Sequence, residues 1–251
     1  MCYNVTYTKR KIEKLAAHKG IAKHEIPPFP ETYWAIGFEN IPLPVITNAS
    51  QRKVQLIPWG LIPFWTKNSK DAALFQRKHL NARNDHLFSS GVWREPIKSQ
   101  RCIIGLHGFY EYHHVDKKTK IPYLITLKEN EPMVLAGLWD QWHDPESQLE
   151  RSTVTIITTE ANEKMKKIHN NPDVLKRGGP RMPLILPLGL TEKWLNIEVS
   201  GKADEQELQS LMLPYPTEEM DFTTVNSLAG KNGTGNKPEA WESFSWQQSL
   251  F

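Results

Sequence analysis

Residues 101–114, RCIIGLHGFYEYHH, decide the fold class. The stretch is dense in β-branched and aromatic residues and reads as strand, with one acid, Glu111, set inside it. Four further segments read the same way: VQLIPWGLIPFW from Val54, IPYLITL from Ile121, MVLAGLW from Met133 and STVTIITT from Ser152. Towards the N-terminus, apolar and polar residues alternate from Tyr3 to Tyr7 as in a strand. An amphipathic helix follows around Ile12, Leu15 and Ala16, and Pro27, Pro28 and Pro30 mark a loop. Short helices are predicted over DAALFQRKHL, EANEKMKKIH and TEKWLNI. Strands without long helices regularly between them predict an α+β fold: a largely antiparallel, barrel-like sheet with short flanking helices, rather than a doubly wound one.

There is no internal repeat, and residues 1–225 read as one domain. Beyond about Val225 the chain turns to NSLAGKNGTGNKPEAWESFSWQQSLF, rich in Gly, Ser and Asn. That composition predicts a flexible tail over residues 226–251.

Of 251 residues, 39% are hydrophobic and 10% aromatic, enough for one substantial core. No apolar run approaches the ~20 residues of a membrane span. Lys9, Arg10 and Lys11 stand where a secretory signal would be apolar, so an intracellular protein is expected, with no membrane partner. The two cysteines, Cys2 and Cys102, have no CxxC spacing, which speaks against a disulfide framework or a cysteine zinc site. Net charge is +3, but residues 203–251 hold eight acids and two lysines. The remainder therefore carries 29 − 20 = +9, which suits either an anionic partner or a plain solvated basic surface.

Cys2 follows the initiator methionine. Trimming of Met1, usual before a small residue, would make it a 1,2-aminothiol. An α-amine titrates near about 7.7–8.0, against about 10.4 for lysine, so a useful fraction is an uncharged nucleophile at neutral pH. Such an amine forms a Schiff base with an aldehyde, and the adjacent thiol then closes a five-membered thiazolidine. The alternative is a small residue that merely begins a strand.

Other segments complete a set: LNARNDH with Asn81 and Arg83, the strand bearing Glu111, and KKIHNNPDVLKRGGPRMPLIL with His169 and Arg181. Together with MC at the start, WGLIPFW at 59–65, NAR at 81–83, GFYE at 108–111, TTEAN at 158–162, IH at 168–169 and RMP at 181–183, the chain resembles the SOS response-associated peptidase (SRAP) family over roughly residues 1–225. The resemblance implies a DNA-damage enzyme of the cytoplasm and nucleoid that links itself covalently to abasic sites in single-stranded DNA. It also implies autocatalytic removal of Met1, abasic-site lyase chemistry as a further activity, and no cofactor. Within it, Cys2 forms the thiazolidine, Asn81 orients it, Glu111 handles the α-amine proton and His169 is the second acid/base. Arg83 and Arg181 clamp phosphates, while Trp59 and Trp65 support or line the DNA groove.

Each residue also has a plainer reading: an ion-pair partner for Glu111, a helix-end cap for His169, carboxylate partners for the arginines and core packing for the tryptophans. The sequence departs from the family pattern in the NNPDVLKRGGP stretch between His169 and Arg181, which adds Lys176 and Arg177, in Asp85 and in Thr66. Strand alternation would place His107, Glu111 and His113 on one face, but this is no recognised ligand spacing and no metal is expected.

The last five residues, QQSLF, resemble the short peptide by which bacterial repair proteins bind the sliding clamp, with Gln247 for directional hydrogen bonds and Leu250 and Phe251 for an apolar pocket. A terminus docked on its own domain is the alternative. Two other functions compete: a non-covalent single-stranded DNA binding module tethered to the clamp, and a cysteine peptidase acting on other proteins.

Overall fold

The computed structural model describes residues 2–176 and 178–246. Strands β1 (Asn4–Tyr7), β2 (Thr32–Ile36), β3 (Pro42–Thr47) and β4 (Ser50–Pro58) build the N-terminal part, with α1 (Lys9–His18) between the first two. There follow α2 (Ser69–Lys78), β5 (Asn81–Arg83), α3 (Pro96–Ser99), β6 (Arg101–Leu106), β7 (Gly108–His114), β8 (Lys120–Leu127), β9 (Met133–His143) and β10 (Glu150–Glu160). Then come α4 (Glu163–Ile168), α5 (Pro172–Lys176), β11 (Arg181–Pro183), α6 (Thr191–Asn196), α7 (Lys202–Ser210) and β12 (Met220–Thr224).

The strands form two sheets. One runs β12-β8-β7-β1-β2; the other runs β11-β10-β9-β6-β3-β4, with β5 added in parallel on β10. Every other paired ladder is antiparallel, so the α+β class holds. The barrel expectation needs correction, because neither sheet closes. At the near edge of the larger one, an isolated bridge between Trp59 and Val154 stands where a ladder would be needed.

Residues 101–114 sew the sheets together. β6 ends at Leu106 in the larger sheet and β7 begins at Gly108 in the smaller one, so only His107 lies between them. Its N–H donates to the Thr6 carbonyl at 2.8 Å, tying the crossing to β1. Gly105 admits α1 to the core: a Cβ there would meet Ile12 Cδ1 at 2.7 Å and Leu15 Cδ2 at 2.8 Å. Arg101 opens β6 as a buried cation whose guanidinium donates to the carbonyls of Ile97, Lys98, Trp194 and Ile197. Burial draws its pKa down to about 10, and the carbonyls bind α3 and α6 to the sheet.

The described part of the predicted flexible tail, residues 226–246, is docked. It leaves β12, reaches the β2 edge, where Asn236 Oδ1 accepts from the N–H groups of Tyr33 (2.7 Å) and Trp34 (3.1 Å), and returns to pair Ser243 with Val225. Between these points Leu228 and Ala240 are buried in an aromatic cluster with Tyr110, Tyr33, Trp34, Tyr112 and Trp241. Scattered apolar residues in a polar stretch thus find a sheet face already lined with aromatics. Gln247, Leu250 and Phe251 lie outside the described residues, as does Arg177.

Candidate active site

Cys2 stands just ahead of β1 and is 1% exposed. Its Sγ faces the Asn4 carbonyl at 3.8 Å. Burial, and then the charge of Glu111, push the thiol up to about 12. The parallel pairing of β5 with β10 delivers Asn81, whose Nδ2 donates to the Cys2 carbonyl at 2.8 Å. The other end of that amide, Oδ1, is buried without a hydrogen-bond partner. A native protein rarely leaves a buried acceptor empty, and this one lies on the group that grips the Cys2 backbone.

Glu111 comes from β7, which pairs with β1 in the register Asn4 to Tyr110. Its Oε1 accepts from the Tyr112 N–H at 3.0 Å, and its Oε2 lies 3.6 Å from His169 Nδ1. His169 ends α4, a helix begun by Asn162, whose side chain accepts from the Met165 N–H. His169 Nδ1 lies 2.8 Å from the Arg181 carbonyl, which can only accept, and 3.4 Å from the Arg181 N–H; the shorter contact favours a proton on Nδ1 and leaves the lone pair of the neutral ring on Nε2. Burial lowers the His169 pKa, with Glu111 opposing. The four residues expected from the sequence are thus brought together from the chain just ahead of β1, from β5 and β7, and from the end of α4, at the seam between the sheets.

The arginines divide. Arg83 clasps Asp85 through Nε (3.0 Å) and Nη2 (2.6 Å), which holds the Asp85 carboxyl down near about 2. Arg181 is 5% exposed, with Nε on Thr158 Oγ1 at 3.2 Å and Nη2 on the Thr158 carbonyl and Asn84 Oδ1. The expected phosphate clamp is, at Arg181, a buried brace joining β10, β11 and the turn after β5. A pocket of about 310 Å³ opens here, bounded by Tyr3, Arg83, His169 and Arg181 and, across from them, Asn171 and Val174.

The tryptophans divide as well. Trp59 is fully buried, and its Nε1 donates to the Leu80 carbonyl at 2.7 Å, next to Asn81. It cannot offer a face to DNA; it supports the strand that carries Asn81. Trp65 is 43% exposed and meets Phe75 edge-on. The loop between them is pinned: Gly60 N–H reaches Val154 (2.8 Å), Ile62 N–H reaches Thr153 Oγ1 (2.8 Å) and Phe64 N–H reaches Asp140 (2.9 Å). Gly60 has φ +109°, and a Cβ there would lie 2.1 Å from the Gln76 carbonyl. Phe64, 56% exposed, joins Trp65 on this rim; WGLIPFW contains it, but only the pinning shows which aromatics point out.

His107 does not share a face with Glu111. Its ring stacks on Trp241 with centroids 4.1 Å apart, whereas His113 Nδ1 donates to the Lys167 carbonyl. No helix among the described residues is long and apolar enough to cross a membrane.

Fold and cluster define an α+β protein built around a buried second-residue cysteine flanked by an amide, a carboxyl group and an imidazole. The chain belongs to the SOS response associated peptidase (SRAP) family, whose model matches residues 1–232. It is 38% identical over 201 residues to the abasic site processing protein YoqW of Bacillus subtilis, covering 80% of this chain and 81% of that one. It is 29% identical over 219 residues to the abasic site processing protein HMCES of Pongo abelii, covering 76% of this chain and 57% of that one. A crystal structure of a Bacteroides thetaiotaomicron protein superposes with a TM-score of 0.81 at 32% identity, over 97% of this chain and all of the other.

Proposed function

We propose that the protein processes abasic sites in DNA, as its relatives are named for doing, and that it does so by linking Cys2 covalently to the lesion in single-stranded DNA. Removal of Met1 makes the Cys2 nitrogen a free amine. That amine adds to the aldehyde of the ring-opened sugar and water leaves, giving a Schiff base. The thiol S–H then adds across the C=N bond: sulfur bonds to carbon, its proton passes to nitrogen, and the thiazolidine closes. No oxidant or reductant is needed.

The observation that carries this reading is the Asn81 amide. One end holds the Cys2 carbonyl and the other is a buried acceptor without a partner, on the side chain that grips the residue whose amine must be positioned. Glu111 and His169 supply acid and base: the carboxylate relieves the α-ammonium of its proton, and the imidazole moves protons as water leaves and as the ring reopens. A thiol held near about 12 is not a thiolate at neutral pH, which favours attack by the amine first. It also disfavours a peptidase acting on other proteins, which needs an activated thiolate. Trp65 and Phe64 would stack on bases and Arg83 would meet phosphate. Single-turnover incubation with an oligonucleotide bearing one abasic site tests the proposal on a denaturing gel. A heat-resistant shifted band is expected, lost in Cys2→Ala. A strand that is bound but never shifted would refute it.

For a protein partner the proposal names the bacterial sliding clamp, bound through Gln247, Leu250 and Phe251. Since the chain is anchored as far as Trp246, whose Nε1 donates to the Val225 carbonyl, this peptide would follow directly from the domain. Equal clamp affinity for the full chain and for one ending at Trp246 would end that part.

A further inference from the structure

Beside the pocket that holds His169 lies a larger cleft, of about 650 Å³. One wall is the turn between β7 and β8, with His114, Lys117 and Lys120; the other is Asn170, Asn171 and Asp173 at the start of the stretch leading to β11. Cleft and pocket share Asn171 and Asp173, so they are two sides of one wall. The walls are firmly set. Asn170 pairs with the backbone of His114 like a residue of a neighbouring strand, accepting from its N–H at 2.7 Å and donating to its carbonyl at 2.9 Å. His113 Nδ1 donates to the Lys167 carbonyl at 2.9 Å, fixing α4 to the same strand. Asp116 Oδ1 accepts from the N–H groups of Lys118 (2.6 Å) and Thr119 (2.8 Å), which shapes the turn and directs that oxygen towards the backbone, while the carboxylate keeps its charge on the cleft wall. Lys117, Lys118 and Lys120 are exposed around it.

We propose that this cleft is a second phosphate-binding track, which takes the backbone of the DNA strand running on from the lesion over the wall at Asn171. The inference rests on the abasic-site reading and adds to it the path of the flanking strand. The chemistry suits a phosphodiester: a preformed groove whose one side carries Lys117 and Lys120, with Lys118 exposed beside them, against the single carboxylate of Asp116, and whose other side offers the Asn171 amide. Asp173 on the far wall favours a strand held against the lysine side rather than one filling the cleft. Such contacts carry no sequence preference, as befits a lesion that has no base to read.

The double variant Lys117→Glu/Lys120→Glu tests this on the full chain, with an undamaged single strand of about 15 nucleotides and with a trinucleotide too short to leave the pocket. Fluorescence anisotropy at several salt concentrations should show affinity for the longer strand falling about tenfold or more, with the salt slope reduced by about two. Trinucleotide affinity should stay at the wild-type level. Lys117→Gln/Lys120→Gln, which removes charge without reversing it, should fall between, and matching melting temperatures confirm that all three proteins fold. Unchanged affinity and slope for the longer strand would overturn the track, and would leave the crosslinking reading intact if wild type still shifts an abasic oligonucleotide. Equal losses on both strands would also overturn it, since the lysines would then act on the pocket itself.

Discussion

The chain just ahead of β1 and the start of β6 each bury one of the two cysteines, and the contrast shows what makes a thiol useful. Cys102 is 0% exposed, on a strand between β3 and β9, and burial alone raises its pKa well above the ordinary value. Its carbonyl accepts from Trp194 Nε1 at 2.9 Å, a packing contact. Cys2 is as deeply buried, but its carbonyl is held by an amide with an acceptor to spare, and its sulfur feels the charge of Glu111. Burial silences both thiols; only Cys2 has polar company and, once Met1 is removed, an amine beside its sulfur.

The sharpest way to break the contrast is to remove each cysteine in turn. Cys2→Ala should abolish the covalent adduct while leaving strand binding near wild type. Cys102→Ala should keep full adduct yield and lose only about 1 kcal/mol of stability, read from a denaturant midpoint. A stable Cys102→Ala protein unable to crosslink would break it. Next, Glu111→Gln should slow adduct formation by about 10²–10⁴ in single-turnover kinetics, the usual range for loss of a general acid or base, with DNA affinity little changed. The tryptophans repeat the lesson with smaller effects. Trp59→Ala should cost about 3–5 kcal/mol of folding stability. Trp65→Ala should cost about 1–3 kcal/mol of strand binding, with a melting temperature close to wild type.

The smallest effect is on stability against pH. Burial lowers the pKa of His79 and His169, and takes that of His107 to about 4. The unfolded chain therefore binds protons that the native state refuses. Stability is complete above the ordinary imidazole value of about 6.5 and falls as pH drops towards about 4. Urea midpoints at pH 7.5 and pH 5 should show that loss, and His107→Phe should flatten it.

Where local pattern decides, the sequence was legible. The alternation from Tyr3 to Tyr7 contains β1, which begins at Asn4, and the apolar spacing of Ile12, Leu15 and Ala16 lies on α1. The aromatic run containing Glu111 is β7, broken from β6 only at His107. Cys2, Asn81, Glu111 and His169 were singled out through family motifs, and the geometry that unites them depends on pairings between distant strands. Partners far along the chain hid the rest. Arg181 looks like any surface arginine until Thr158 and Asn84 close on it. Trp59 and Trp65 share one motif, yet Gly60 and the pinned loop turn one inward and one out. The stretch from 226 to 246 has the composition of a linker, but the aromatic face that receives Ala240 and Trp241 belongs to β2 and β7. VQLIPWGLIPFW ends as a strand at Pro58, because beyond it the backbone donors scatter instead of forming a ladder: Trp59 N–H goes to Ile41, Gly60 to Val154, Leu61 to His79 and Phe64 to the Asp140 side chain.

The most direct measurement is tandem mass spectrometry of the peptide that remains after nuclease digestion of the purified adduct. Nitrogen and sulfur of Cys2 should both be bonded to one sugar carbon, with the mass of the sugar remnant less one water and no gain on borohydride treatment. A sugar found on a lysine side chain, or an adduct at Cys2 that borohydride reduces because it stayed an open Schiff base, would contradict the account.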